Sequence, residues 1–122
     1  YNLLPVLINP NYKIAIREAT VHHSINGSFA IRKGDWKLIF TPGSGGWSFP
    51  TPGKAEEGLP SLQLYNLSID PTEKDNCYTK FPQVVEELSV LMKKYIEEGR
   101  STLGKPQKND GAYPWKQLNF LK

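Results

Sequence analysis

The sequence predicts an α+β domain in which a four-stranded antiparallel sheet carries one long helix on one face. Runs of β-forming residues separated by short turns over residues 18–41 predict three strands, and a similar run at 61–67 predicts a fourth. Apolar residues recur at helical spacing over 82–98. Because one helix covers only one face of such a sheet, we expect the other face to differ in character.

The first three strands form a predicted meander. EATVHHSI leads into Asn26-Gly27, SFAIR leads into Lys33-Gly34, and DWKLIFT completes the third strand. Residues 42–60 then contain Pro and Gly at a density that excludes both a helix and a central strand. Loops of such length within a compact domain are uncommon, and they tend to be functional or disordered.

The helix prediction begins at Pro82, a residue suited to the first helical position, and ends before Gly99. Glutamates lie near its start and lysines nearer its end, which complements the helix dipole. Seven apolar residues form one stripe along it: Val84, Val85, Leu88, Leu91, Met92, Tyr95 and Ile96. We expect Leu88 and Leu91 to pack against Trp36, Leu38 and Phe40 of the third strand.

Side-chain alternation assigns the adjacent histidines of the first strand to opposite faces. It predicts that His23 faces the core and that His22 lies on the more polar face. That second face also carries Ala30, Ile39 and Tyr65, which are too apolar for full exposure to solvent. We therefore expect it to be a docking surface for more protein.

Composition excludes several classes of protein. The net charge is +3, but the predicted helix lies in the acidic part of the chain, which argues against a nucleic-acid-binding function. No apolar run is long enough to span a membrane. Cys77 is the single cysteine, so it has no partner for an internal disulfide and, with two histidines, cannot complete a four-ligand zinc site. The chain begins at Tyr1 without a signal peptide, so we expect a mature product or an excised fragment.

No known catalytic motif is present, and two features remain as candidate binding sites. In the first, His22 or His23 contacts a ligand; alternatively, one is packed in the core and the other is exposed. In the second, the amides of Gly45 and Gly46 approach an anion and Trp47 stacks on a ring, with Ser48 beside it. The alternative is a floppy connector whose Trp packs back onto the sheet. Cys77 is expected to be structural.

Four sequence segments occur together and in order: FAIRKGDWKLIF at 29–40, PGSGGWS at 42–48, QLYNLSIDPTEKDN at 63–76 and EEGRSTLG at 97–104. Together they resemble the C-terminal subdomain of type I, formylglycine-dependent sulfatases, especially the bacterial arylsulfatase-like enzymes. The most specific elements are the strand ending GDWKLI and the pattern Leu-Tyr-Asn-Leu-x-x-Asp-Pro-x-Glu-x-x-Asn. Within that pattern, we expect Asp70, Pro71 and Glu73 to form a capped turn between the last strand and the helix. Leu103 departs from the pattern, since these enzymes commonly have Pro there.

The resemblance implies a linker or the end of a preceding catalytic domain at 1–16, the α+β subdomain at 17–99 and an extended tail at 100–122. It implies a parent sulfuric ester hydrolase, periplasmic or extracellular, acting on sulfated glycans or aryl sulfates. Formylglycine and calcium would belong to the N-terminal catalytic domain, on which this subdomain docks. Nothing in this chain matches the formylglycine motif, so we expect it to hold no cofactor and to have no turnover alone.

Two rival functions stay open at this point. An independent carbohydrate-binding module would place Trp36 and Trp47 on one exposed platform. A purely structural interaction domain would need no binding residues. A sulfatase subdomain instead predicts Trp36 buried beneath the helix and an apolar sheet face without a cover from its own chain.

Overall fold

The computed structural model describes residues 1–110, Trp115, Gln117 and Leu118, and it confirms the predicted α+β architecture. The four strands lie in the order β1-β2-β3-β4, and every neighbouring pair is antiparallel. The elements are α1 (Leu4–Ile8), β1 (Thr20–His23), β2 (Phe29–Lys33), β3 (Trp36–Ile39), a 3₁₀ turn (Lys54–Glu56), β4 (Gln63–Asn66) and α2 (Pro82–Glu97).

Helix α2 packs on β2 and β3 along its predicted apolar stripe. It ends as expected before Gly99, whose φ of +64° is a conformation that glycine adopts readily. The Arg100 N–H donates to Tyr95 O at 3.0 Å and the Gly99 N–H donates to Ile96 O at 3.1 Å, which closes the last turn. The buried core consists of Ala19, Ile31, Leu38, Phe40, Leu64, Cys77, Leu88, Leu91, Met92, Ile96 and Leu118.

The β1–β2 connection is longer than the tight turn that Asn26-Gly27 predicts. The Ser24 N–H donates to Ser28 O at 2.9 Å, so three residues, with Gly27 at φ +82°, lie between this closing pair. Asn26 Oδ1 accepts hydrogen bonds from the Ser24 and Ser28 hydroxyls and from the Ser28 N–H. These bonds favour the wider turn, because the Asn26 side chain then accepts from the Ser28 N–H and from both serine hydroxyls.

Residues that follow β4 pair with its outer edge. Asn76 Oδ1 accepts from the Leu64 N–H at 3.0 Å, and Asn76 Nδ2 donates to Leu62 O at 3.0 Å. The Cys77 N–H donates to Leu64 O at 2.9 Å, and the thiol also contacts that oxygen. Cys77 is buried, and burial raises the pKa of its thiol. Burial and these contacts with Leu64 O support the structural interpretation of Cys77.

The prediction that His23 is a core residue is wrong, because His23 is exposed. Strand β1 is at the edge of the sheet, and α2 covers β2 and β3. The partner of His23 in the register is Phe29, which is itself only half-buried. The helix does not cover this end of the edge strand, and His23 instead lines the groove described below.

Both flanking segments contain structure that the sequence pattern did not predict. Helix α1 lies within the expected linker at 1–16, and none of its residues is buried. In the expected tail at 100–122, the Gln107 N–H donates to Glu98 O at 2.8 Å and Leu118 joins the core at 4% exposure. The remaining tail residues, 111–114, 116 and 119–122, lie outside the described part of the chain.

Candidate functional site

The face of the sheet opposite α2 carries a groove of about 690 Å³. Ala30, Ile39 and Tyr65 lie along it, as the alternation predicts. The loop at 42–50 and the turn at 70–73 contribute residues to the same groove, and Ala30 and Tyr65 are buried within the chain. The expectation of an uncovered apolar face therefore needs correction, because the chain's own loops cover part of it and leave a concave site.

Gln63 joins the sheet to the loop that lines the groove. Its Nε2 donates to Thr41 O at 2.7 Å and to Gly43 O at 2.9 Å. Its Oε1 accepts from the Tyr65 hydroxyl at 2.8 Å. Burial, reinforced by nearby Glu73, raises the pKa of the Tyr65 phenol, so the hydroxyl stays protonated and continues to donate. One side chain of β4 thus fixes both the start of the loop and the phenol in the groove.

An ion pair between Lys37 and Glu73 also lines the groove. Lys37 Nζ on β3 lies 2.7 Å from Glu73 Oε1, and both side chains are about one-quarter exposed. Glu73 is presented by a turn in which Asp70 Oδ2 accepts from the N–H groups of Lys74 and Asp75 at 2.8 and 2.9 Å. This is the capped turn that Asp70 and Glu73 predict from sequence.

Three of the six predicted binding residues meet at the groove: His22, His23 and Ser48. His22 pairs with Ala30 in the register and therefore shares the groove face of the sheet. His23 lies at the end of β1, where its Nδ1 is 3.1 Å from Ser24 O. Both imidazoles are exposed, so neither is committed to packing in the core.

The other three predicted residues, Gly45, Gly46 and Trp47, lie in the loop but outside the lining of the groove. Gly45 O accepts from the Asn26 N–H at 3.2 Å, and a Cβ on Gly45 would lie 2.5 Å from Ser24 Oγ. The Gly46 N–H already donates to Ser44 Oγ. Trp47 is 88% exposed, so it does not pack back onto the sheet. The β1–β2 turn thus holds this loop, which is not a floppy connector.

Sequence reasoning missed several groove residues, above all Phe49, Lys37, Gln63 and Glu73. Lys37 and Gln63 look like ordinary strand positions in the sequence, although alternation from Ile39 and Tyr65 places them on the groove face. Phe49 lies two residues after Trp47 in the same irregular loop. No spacing rule indicates which of two nearby aromatic residues in an irregular loop faces a groove.

Comparison with known proteins shows what this chain is similar to. No family model matches the chain. An N-acetylgalactosamine-6-O-sulfatase of Bacteroides thetaiotaomicron is 42% identical over 77 residues, which make up 62% of this chain and 15% of that protein. The resemblance to a sulfatase C-terminal subdomain is confirmed. The chain spans only about 15% of the length of this curated relative.

A solved structure from work on the metabolism of multiple glycosaminoglycans by Bacteroides thetaiotaomicron also matches the sulfatase-like chain. It is 41% identical, and the match covers 64% of this chain and 16% of that chain with a TM-score of 0.49.

The described residues do not fit the cofactors of a sulfatase. Within residues 1–110, Trp115, Gln117 and Leu118, no three His, Cys, Asp or Glu side chains cluster in a way that could hold a metal ion. Cys77 is buried, is followed by Tyr-Thr-Lys and contacts Leu64 O through its thiol. This sulfatase-like segment therefore offers neither a calcium site nor a formylglycine precursor in the part that the structure describes.

The platform expected for an independent carbohydrate-binding module does not form. Trp36 is half-buried beside the start of α2, with its ring centroid 5.0 Å from that of Phe81, whereas Trp47 is 88% exposed in the loop. The prediction that Trp36 is buried beneath the helix therefore holds only in part. In the described part of the chain, no helix has the length and apolar character needed to cross a membrane.

Proposed function

We propose that this chain is the non-catalytic C-terminal subdomain of a sulfatase, that it docks on the larger catalytic domain of the same protein, and that it lines the substrate pocket. The observation that carries the proposal is the 42% identity with an N-acetylgalactosamine-6-O-sulfatase over 77 residues. In this proposal, residues 1–16 connect the two domains, 17–99 form the subdomain and 100–122 form its tail.

Exposed apolar side chains support the docking role. Leu7, Ile8 and Ile14 are each more than two-thirds exposed, and α1 buries none of its residues. A cluster of exposed aliphatic residues in one segment is typical of a surface that contacts further protein. The similarity to a sulfatase suggests that this partner is the catalytic domain of the same protein.

The groove supports the pocket-lining role. Sulfated substrates are anionic, and the exposed imidazoles of His22 and His23 are able to donate hydrogen bonds to sulfate or sugar oxygens. The loop adds Ser48 to the groove and, beside the groove, the backbone amide of Gly45 and the exposed indole of Trp47 for stacking on a ring, whereas the Gly46 N–H is already bonded to Ser44 Oγ. Glycans carrying 6-O-sulfated N-acetylgalactosamine are the first substrates to test, because the relative is named for that activity.

The chemistry of sulfate ester cleavage would then reside in the catalytic domain, with its formylglycine and calcium, in a periplasmic or extracellular protein. The role of this chain is to bind the substrate and to shape the substrate pocket. His22 and Trp47 are expected to contribute to substrate affinity, since neither supports the core of the fold.

The test uses the full-length sulfatase that contains this segment, with His22→Ala and Trp47→Ala compared with the unchanged enzyme on the sulfated glycan. Each variant should lower kcat/KM about tenfold, the loss of one binding contact of about 1.4 kcal/mol. Ile69→Ala is the matched control, because Ile69 is 82% exposed and lies outside the groove lining. Unchanged kinetics for both variants would leave the segment a structural support only.

A further inference from the structure

Phe49 is both highly exposed and part of the groove lining. Its ring is 83% exposed, and it nevertheless lines the groove on the helix-free face of the sheet. Trp47, two residues earlier, is similarly exposed but lies outside that lining. The ring that the groove itself presents to solvent is therefore that of Phe49.

The backbone on either side of Phe49 is anchored to a single serine. The Ser44 hydroxyl donates to Ser48 O at 2.6 Å, and the Ser44 N–H donates to Pro50 O at 3.0 Å. Gly43 makes this closure possible, because a Cβ at Gly43 would lie 2.6 Å from Pro50 O. The loop thus holds Phe49 between two bonded neighbours while its ring stays in solvent.

A second set of contacts fixes the loop to the sheet. Gln63 holds Gly43 O from the β4 side, and the Asn26 N–H holds Gly45 O from the β1–β2 turn. Both anchors lie before Phe49 in the loop, so the position of its backbone relative to the groove is set by the rigid part of the fold. A ring positioned in advance loses little conformational freedom when it binds a ligand.

The groove beneath the ring offers polar groups of both kinds. Lys37 supplies a donor, and the hydroxyl oxygen of Tyr65 and the carboxylate of Glu73 supply acceptors. A pyranose ring has an apolar face of C–H groups and an edge of hydroxyl groups. Such a sugar matches an aromatic ring beside a mixed polar surface better than does a purely apolar or a purely ionic ligand.

We propose that Phe49 is a substrate-binding residue that stacks on a pyranose ring of the sulfated glycan within the groove, with Ser44 as the positioning residue of the loop that carries it. The inference rests on the proposed sulfatase function and assigns the ring contact inside the groove to a residue other than Trp47.

The test compares Phe49→Ala, Phe49→Leu and Phe49→Tyr in the full-length sulfatase with a glycan of 6-O-sulfated N-acetylgalactosamine as substrate. Phe49→Ala should raise KM about tenfold with kcat within about twofold. Phe49→Tyr should restore the original KM because it keeps the aromatic face, and Phe49→Leu should not. Ser44→Ala should raise KM in the same direction, because it frees Ser48 O.

Other results would overturn the inference. Recovery of the original KM by Phe49→Leu, or a lower thermal midpoint together with a lower kcat in Phe49→Ala, would show that Phe49 packs against the catalytic domain. Unchanged kinetics in Phe49→Ala, together with a raised KM in His22→Ala, would remove Phe49 from the site and leave the proposed function standing. Unchanged kinetics in every groove variant would contradict both.

Discussion

The ammonium group of Lys37 donates a 2.7 Å hydrogen bond to the carboxylate of Glu73, and this contact joins the third strand to the turn that follows the fourth. Among the described residues, Glu73 is the non-glycine residue with positive φ, at +56°. An L side chain in this conformation costs roughly 1–2 kcal/mol. The position therefore combines a favourable ion pair with an unfavourable backbone conformation.

Replacing Glu73 separates these two effects. Glu73→Ala and Glu73→Gly both remove the ion pair, but only glycine relieves the backbone. We expect Glu73→Gly to be about 1 kcal/mol more stable than Glu73→Ala in urea unfolding of the 122-residue chain, the reverse of the usual order of these residues. Lys37→Met removes the ion pair but leaves Glu73 in the turn, so it measures the loss of the pair alone. Equal stability of the alanine and glycine variants would contradict the assignment of strain.

Leu88 tests the packing of α2 on the sheet. The side chain is 2% exposed and lies in the core cluster with Leu38 and Ile31. Leu88→Ala should lower the free energy of unfolding by about 2–5 kcal/mol, because it leaves a cavity that the neighbours fill only in part. Val90→Ala, at a position 60% exposed on the same helix, should change it by less than about 0.5 kcal/mol. Similar losses in both variants would show that the helix is not packed through this face.

Asn76 tests the pairing along β4. Asn76→Ala should cost about 1–3 kcal/mol, because the buried Leu64 N–H loses its acceptor. Asn76→Asp should also destabilise the chain, since a carboxylate replaces the donor that faces Leu62 O. Hydrogen exchange at the Leu64 amide should accelerate in both variants and stay unchanged in Lys74→Ala. An unaffected Leu64 amide would contradict the pairing.

Asp70 should contribute to stability in a pH-dependent way. Hydrogen bonds from the backbone, first from the Asp75 N–H and then from Lys74, hold the pKa of its carboxyl below the ordinary value. The unfolded chain therefore takes up this proton first as the pH falls. Its contribution is complete above the ordinary pKa of about 3.9 and is lost as the pH decreases through the folded-state pKa. In thermal melts over a series of acidic pH values, Asp70→Asn should reduce the decrease of the thermal midpoint with falling pH. An unchanged decrease in this variant would contradict the contribution of Asp70.

The isolated chain should not hydrolyse sulfate esters. It contains no match to the formylglycine motif, and binding groups alone do not replace the charge stabilisation that a catalytic centre supplies. We expect no turnover of an aryl sulfate with added calcium, measured by release of the phenol. Activity that copurifies with the homogeneous chain would contradict this expectation.

The sheet, the long helix and the turn at Asp70 were predictable because each depends on local signals. Alternation, a 3.6-residue apolar period, and Pro and Gly at helix ends act over a few residues. The same signals placed His22 on the groove face. They could not show that His23 would be solvated, because that depends on how far a helix 60 residues later extends across the edge strand.

The loop was predictable as a loop and not in its conformation. Its path depends on Gln63, Asn26 and Ser44, which bond to backbone groups rather than follow a sequence period. For this reason the glycines and Trp47 are recognisable as candidates from the sequence, whereas the position of Phe49 at the groove follows only from the folded path of the loop. Helix α1 was missed because five apolar residues are too few to establish a period.

The contacts of Asn76 and Cys77 with β4 also bear on how the chain behaves in concentrated solution. An open strand edge is a template on which another molecule adds a strand, and this addition is a common first step of aggregation. Here the N–H and C=O of Leu64 and the C=O of Leu62 are already bonded within the chain. Strand addition at this side of the sheet would first require those bonds to break, so the turn after β4 also protects the fold against self-association.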